Sequence, residues 1–99
     1  MQKGGYIYIM SNYQRSVLYI GVTSDLRKRL YEHQSKVHPN SFTAKYNLSI
    51  CVYYEAFFTI EEAIAREKQL KRWSRKKKDH LIDNLNKEWM DLTTEISKW

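Results

Sequence analysis

Residues 19–33 read Tyr19-Ile20-Gly21-Val22-Thr23-Ser24-Asp25-Leu26-Arg27-Lys28-Arg29-Leu30-Tyr31-Glu32-His33, and the fold turns on how this stretch is read. It opens as a strand, because Val17 to Val22 is β-branched, aromatic or apolar apart from Gly21. Gly21 lets another backbone or a ligand come close to that strand. Thr23, Ser24 and Asp25 each carry a side chain able to cap a helix. In the helix that follows, Leu26, Arg29, Leu30 and His33 share one face at i, i+3, i+4 and i+7. A helix built only to pack would carry apolar residues at all four positions, since an unpartnered buried charge is costly. The cation and the imidazole mark either a site or a snorkelling arginine beside a satisfied histidine.

Upstream, Tyr6 to Met10 follows Gly4-Gly5 and alternates, with Tyr6, Tyr8 and Met10 on one face and Ile7 and Ile9 on the other. The polar stretch Ser11 to Ser16 reads as the turn of an antiparallel hairpin. Downstream, the helix ends near Ser35, and residues 36–47 show no period and read as a loop. His38, Lys45 and Tyr46 make that loop polar, basic and aromatic, as a lip over a substrate would be. Leu48 to Phe58 is the longest apolar run and is expected to be the central strand. Thr59 and Glu62 form a capping box. The helix it starts is expected to turn one stripe inward, Ile60, Ala63, Ile64, Glu67 and Leu70, with Lys71 at its end as a candidate member. Glu67 is a second charge in an apolar row.

From Arg66 to Lys78 the chain holds eight basic residues: Arg66, Lys68, Lys71, Arg72, Arg75, Lys76, Lys77 and Lys78. Trp73-Ser74 breaks the helix, and Ser74 caps a third one running to about Leu85. Residues 79–99 are net negative, with Trp89 and Leu92 expected to pack back on the core. The expected organisation is one domain over residues 1–99, with a core of about 4–86 and a tail of 87–99.

Seventeen Lys and Arg against eleven Asp and Glu give a charge of +6 over 99 residues, which favours a polyanionic partner. Eight Tyr and three Trp suit stacking on bases as well as packing. One cysteine, Cys51, excludes an intramolecular disulfide and a cysteine zinc cluster. No apolar run is long enough to span a membrane, and Met1 to Tyr6 do not form a signal peptide, so a cytoplasmic location is expected.

The ordered set of motifs resembles the GIY-YIG nucleases. Tyr6-Ile7-Tyr8 is similar to the first motif, with Tyr6 in place of its glycine, and Tyr19-Ile20-Gly21 is the second. Asp25 to His33 resembles the family's first helix, with the motif arginine at Arg29. Ala65-Arg66-Glu67-Lys68-Gln69-Leu70 resembles its metal-binding helix, with the carboxylate at Glu67. Residues 71–78 and Asn86-Lys87-Glu88-Trp89 resemble the ending of small stand-alone bacterial members, related to the nuclease domain of the UvrC repair subunit.

The resemblance implies an α/β (α+β) fold: a three-stranded antiparallel sheet flanked by helices. It implies a metal-dependent endonuclease acting on DNA, structure-selective and linked to repair or recombination, with RNA as a further substrate candidate. Its catalytic residues are Tyr8, Tyr19, Arg29, His33 and Glu67, with Gly21, Thr23 and Asn86 in support. Glu67 would hold Mg²⁺ or Mn²⁺, with waters completing the octahedron. Either tyrosine could serve as the base, and Arg29 would clamp the phosphate. Lys45, Arg66, Lys71, Arg72, Arg75, Lys76, Lys77 and Lys78 are the candidate nucleic-acid contacts. The competing reading of Glu67 is a buried ion pair with Arg29, and the competing function is a binding module that cleaves weakly or not at all. A protein partner or homodimer is compatible with either.

Overall fold

The structure, a computed structural model, describes residues 4–99. Residues 1–3, which begin the stretch read as lacking a signal peptide, lie outside the described residues. The elements in chain order are β1 (Gly5–Ser11), β2 (Leu18–Thr23), α1 (Leu26–Gln34), α2 (Phe42–Lys45), β3 (Ile50–Phe57), α3 (Ile60–Lys71), α4 (Arg75–Leu85) and α5 (Thr93–Ile96). The strands form one antiparallel sheet in the order β2-β1-β3. The central strand is therefore β1 and not β3, contrary to the expectation from apolar run length. All seven residues of β1 are buried, whereas β3 loses its cover from Tyr54 onward. Uniform burial marks a central strand, and a long run that is half-exposed from Tyr54 onward does not.

Alternation along β1 divides the core in two. Ile7 and Ile9 pack with Ile20, Val52, Ala63, Leu70 and Ile82 on one face. Tyr6, Tyr8 and Met10 pack with Leu26, Leu30, Leu48 and Ile96 on the other. Thus α3 covers the isoleucine face and α1 the tyrosine face. A bulge in β3 opposite Ile9 and Met10 shifts the register there. Cys51 is buried in β3, where its thiol donates to the Tyr53 carbonyl.

Local chemistry sets the helix ends. Asp25 caps α1, accepting from the Lys28 amide, while Thr23 bonds the Asp25 backbone just before it. Helix α1 stops in a left-handed residue, Lys36, with the Lys36 amide donating to His33 and the Val37 amide to Glu32. The capping box of Thr59 and Glu62 starts α3, and Ser74 starts α4. The stripe of α3 is narrower than expected: Ala63 and Leu70 are buried, Glu67 is half-buried, and Ile64 and Lys71 turn to solvent. The segment 36–47 is not all loop, because Ser41 caps the four-residue helix α2. A single helical turn leaves too few residues for a period to show.

The tail packs back as expected. Leu92 and Ile96 join the tyrosine-face cluster, Trp89 joins the isoleucine-face cluster, and Trp99 rests on Tyr6 and Tyr54. No described helix is long and apolar enough to cross a membrane.

Candidate active site

The tyrosine face of the sheet carries the site. Tyr8 stands in the middle of the central strand, opposite Gly21 in β2. A Cβ built on Gly21 would lie 2.4 Å from both Cζ and Oη of Tyr8. The ring thus lies directly over the glycine, and any larger residue would push it away. Beyond the ring, Tyr8 Oη lies 2.8 Å from His33 Nε2. On the far side of the imidazole, His33 Nδ1 lies 2.9 Å from Thr43 Oγ1, which lies 3.2 Å from Ser41 Oγ. The row Tyr8–His33–Thr43–Ser41 joins β1, α1 and the start of α2. It can be drawn in two directions, which are the two tautomers of a neutral imidazole. Tyr19 flanks it, its ring centroid 6.3 Å from Tyr8 and 5.9 Å from His33.

Burial sets the protonation of the pair. It holds the Tyr8 hydroxyl well above the ordinary tyrosine range, with the neighbouring Arg29 guanidinium pulling the other way. It pushes His33 down to about 4, and the positive charge of Arg29 adds to the effect. At neutral pH the resting pair is therefore a phenol beside a neutral imidazole. Arg29 is half-exposed and also pairs with Glu32 at 3.1 Å. The Arg29 side chain keeps 32% exposure to solvent.

Tyr8, Tyr19, Arg29 and His33 thus come together as the sequence suggests. Glu67 lies on α3, a helix that packs on β1 and β2 and buries Ala63 and Leu70 against the isoleucine face. Its carboxylate pairs with Lys71 Nζ at 3.0 Å. The expected alternative, a buried Arg29–Glu67 pair, is overturned, since each residue has a different partner. No group of three or more His, Cys, Asp or Glu placed to hold a metal exists among the described residues. Glu67, the carboxylate expected to hold a cation, is a single carboxylate already paired with a lysine. The Lys71 ammonium marks where a positive charge already approaches Glu67.

The supporting residues divide. Gly21 belongs to the site. Thr23 serves the entrance to α1. Asn86 is buried away from the site, donating to the Val52 and Met90 carbonyls and accepting from the Met90 amide, so it fastens the tail. The basic run divides as well. Arg66 is held by both oxygens of Glu55 at 3.0 Å and also donates to Gln69, while Tyr53 donates to the same Glu55. Arg75 clasps Asp79 and the Arg15 and Ser16 carbonyls of the β1–β2 turn. Arg66 and Lys77 both lie over the Trp73 ring. Lys45, Lys71, Arg72, Lys76 and Lys77 are exposed, and Lys78 is partly so. Thr43 and Ser41 escaped sequence reasoning. The signal available was Ser41 placed three residues before Ala44, a cap in front of a short helix.

A hairpin with paired tyrosines, a glycine under one of them and an arginine–histidine helix behind define a GIY-YIG catalytic domain, and the family model of that description matches residues 4–80. The chain belongs to the GIY-YIG family, a family of nucleases. Within it, the chain is similar to small single-domain proteins of the UPF0213 group. It is 34% identical to a UPF0213 protein of Bacillus pumilus over 88 residues, covering 89% of both chains. It is 40% identical to one of Staphylococcus saprophyticus over 81 residues, covering 78% of this chain and 92% of the other. The solution NMR structure of a UPF0213 protein from Bacillus halodurans has the same fold, with a TM-score of 0.56 and 29% identity, covering 91% of this chain and 94% of that one.

Proposed function

We propose that this protein is a divalent-metal-dependent endonuclease that hydrolyses phosphodiester bonds in DNA, acting on repair or recombination structures. The observation that carries this reading is the buried Tyr8–His33 hydrogen bond of 2.8 Å beside the half-exposed Arg29. A phenol held above its ordinary range is a poor base as a free phenolate. It is a good relay, because it can take a proton from water while giving its own to His33 Nε2. For this the imidazole must be neutral with its hydrogen on Nδ1, donated to Thr43, whose own hydrogen then goes to Ser41. In one concerted event the water oxygen bonds to phosphorus, its proton moves to Tyr8 Oη, and the Tyr8 proton moves to His33 Nε2. The bond from phosphorus to the leaving ester oxygen breaks, that oxygen takes a proton from solvent, and His33 later returns its extra proton to solvent. Arg29 holds the non-bridging phosphate oxygens as a fixed fork. Tyr19 orients the water from the adjoining strand. Glu67 would hold Mg²⁺ or Mn²⁺, which supplies charge neutralisation at the phosphate.

The second reading, a nucleic-acid-binding module without cleavage, draws on the lysine partner that occupies Glu67. Glu67→Gln separates the two, since it keeps size and hydrogen bonding and removes the charge. As a metal ligand, its loss lowers cleavage of branched or nicked DNA in Mg²⁺ at least a hundredfold, about 3 kcal/mol of transition-state stabilisation. Melting and DNA binding in EDTA stay as in the parent. A variant that cleaves at the parental rate removes Glu67 from the mechanism, and a parent protein inert on every DNA and RNA substrate with either metal favours the binding module.

A further inference from the structure

Three aromatic rings lead outward from the site. Tyr19 lies 6.2 Å from Phe42, and Phe42 lies 4.7 Å from Tyr46, between ring centroids. A four-residue helix normally turns its large apolar residue inward. Here α2 buries Thr43 and Ala44 and leaves Phe42 48% and Tyr46 52% exposed. Exposed rings in tilted contact, 31° and 41° between successive planes, beside a buried polar cluster call for a functional reading more than a scattered surface aromatic does. Tyr46, with Phe42 packed behind it, lines a groove of about 590 Å³ together with His33, Thr43, Tyr13, Lys45 and Lys36, whose ammonium also donates to Asn47. Tyr13 is 79% exposed on its far side. No Asp or Glu lines this groove, whereas two lysines do. Flat apolar faces, positive charge without compensating acid, and direct continuity with the His33–Thr43 pair describe one chemistry: a nucleobase attached to a phosphate backbone.

We infer that Phe42 and Tyr46 form a stacking platform for an unpaired nucleobase next to the scissile phosphate, with Lys36 and Lys45 on its backbone. The inference rests on the nuclease reading and narrows it. A base inside a duplex has both faces covered by its neighbours, so the platform takes a nucleotide that is single-stranded, bulged, or at a flap or gap. The substrate class is then a strand with an unpaired nucleotide at the cleavage point, and not continuous duplex. Stacking of a base on a protein aromatic contributes about 1–3 kcal/mol, which is about fivefold or more in affinity.

The test is binding of the full chain, in EDTA to prevent cleavage, to oligothymidylate and to an abasic strand of equal length. The abasic strand keeps the phosphates and removes the rings. The expected result is at least fivefold weaker binding of the abasic strand. Tyr46→Leu, which keeps an apolar contact with Phe42 and removes the ring, should erase most of that difference and leave affinity for blunt duplex unchanged. Tyr46→Trp should restore it, with tryptophan fluorescence quenched on binding the base-containing strand. Equal binding of the two strands by the parent protein, or an undiminished preference in Tyr46→Leu, overturns the platform and leaves the nuclease reading standing. Binding of neither strand, together with no cleavage, overturns both.

Discussion

His33 is where burial and hydrogen bonding meet, and it makes folding pH-dependent in a defined window. The folded-state value is pushed down from the ordinary 6.5 to about 4 by burial first and by Arg29 second. Above 6.5 the group is neutral in both states and costs nothing. As pH falls below that, the unfolded chain takes up a proton that the folded chain refuses until about pH 4. Stability is therefore lost between 6.5 and 4 and levels off below, by on the order of 3 kcal/mol. Melting curves of the parent and of His33→Asn should diverge in slope across that window, the variant being flatter. Parallel slopes would mean that the imidazole does not titrate as its surroundings require. Gly21 is the matching case for sterics, since only hydrogen fits beneath the Tyr8 ring. Both residues were legible in the sequence: the histidine as a titratable group in an apolar stripe, the glycine as a gap in a strand. Their shared partner, Tyr8, was legible as a strand residue with its face. The histidine's second partner, Thr43, was not, because that bond exists only once a distant segment folds over α1.

Elements that carry their own start signals were readable, and those defined by neighbours were not. The capping box of α3 and the serine cap of α4 lie within four residues of what they cap, so local sequence states them in full. The placement of β1 between β2 and β3 is a tertiary choice, and the apolar run of β3 pointed the other way. The basic run shows the same limit. Its charge was evident in sequence, but whether a given cation faces solvent depends on acids and carbonyls brought in from elsewhere. Arg66 and Arg75 are engaged with Glu55 and with the β1–β2 turn, whereas Lys76 and Lys77 in the first turn of α4 are exposed. If about four to six phosphates are neutralised, affinity for duplex DNA should fall with salt at a log–log slope of roughly −4 to −5. Removing Lys76, Lys77 and Lys78 together should flatten that slope by about 2 to 3. An unchanged slope would make this turn of α4 a solvated face only.

At the scale of the whole molecule, the two halves of the site sit on supports of very different permanence. Tyr8 belongs to a strand hydrogen-bonded on both edges and covered on both faces. Phe42 and Tyr46 belong to a single capped turn on the surface. A strand of the first kind opens only when the whole fold opens, whereas a lone turn opens by itself. Amide exchange should show it: the Tyr8 and Ile9 amides should report the global unfolding free energy, and those of residues 42–46 should exchange far sooner. Uniform protection across both segments would contradict that division. If Tyr8 relays the proton and Phe42 and Tyr46 receive a base, as proposed, the relay runs on a fixed frame while the platform is free to open and reclose within a catalytic cycle. A strand end could enter and leave without the reacting tyrosine losing its place.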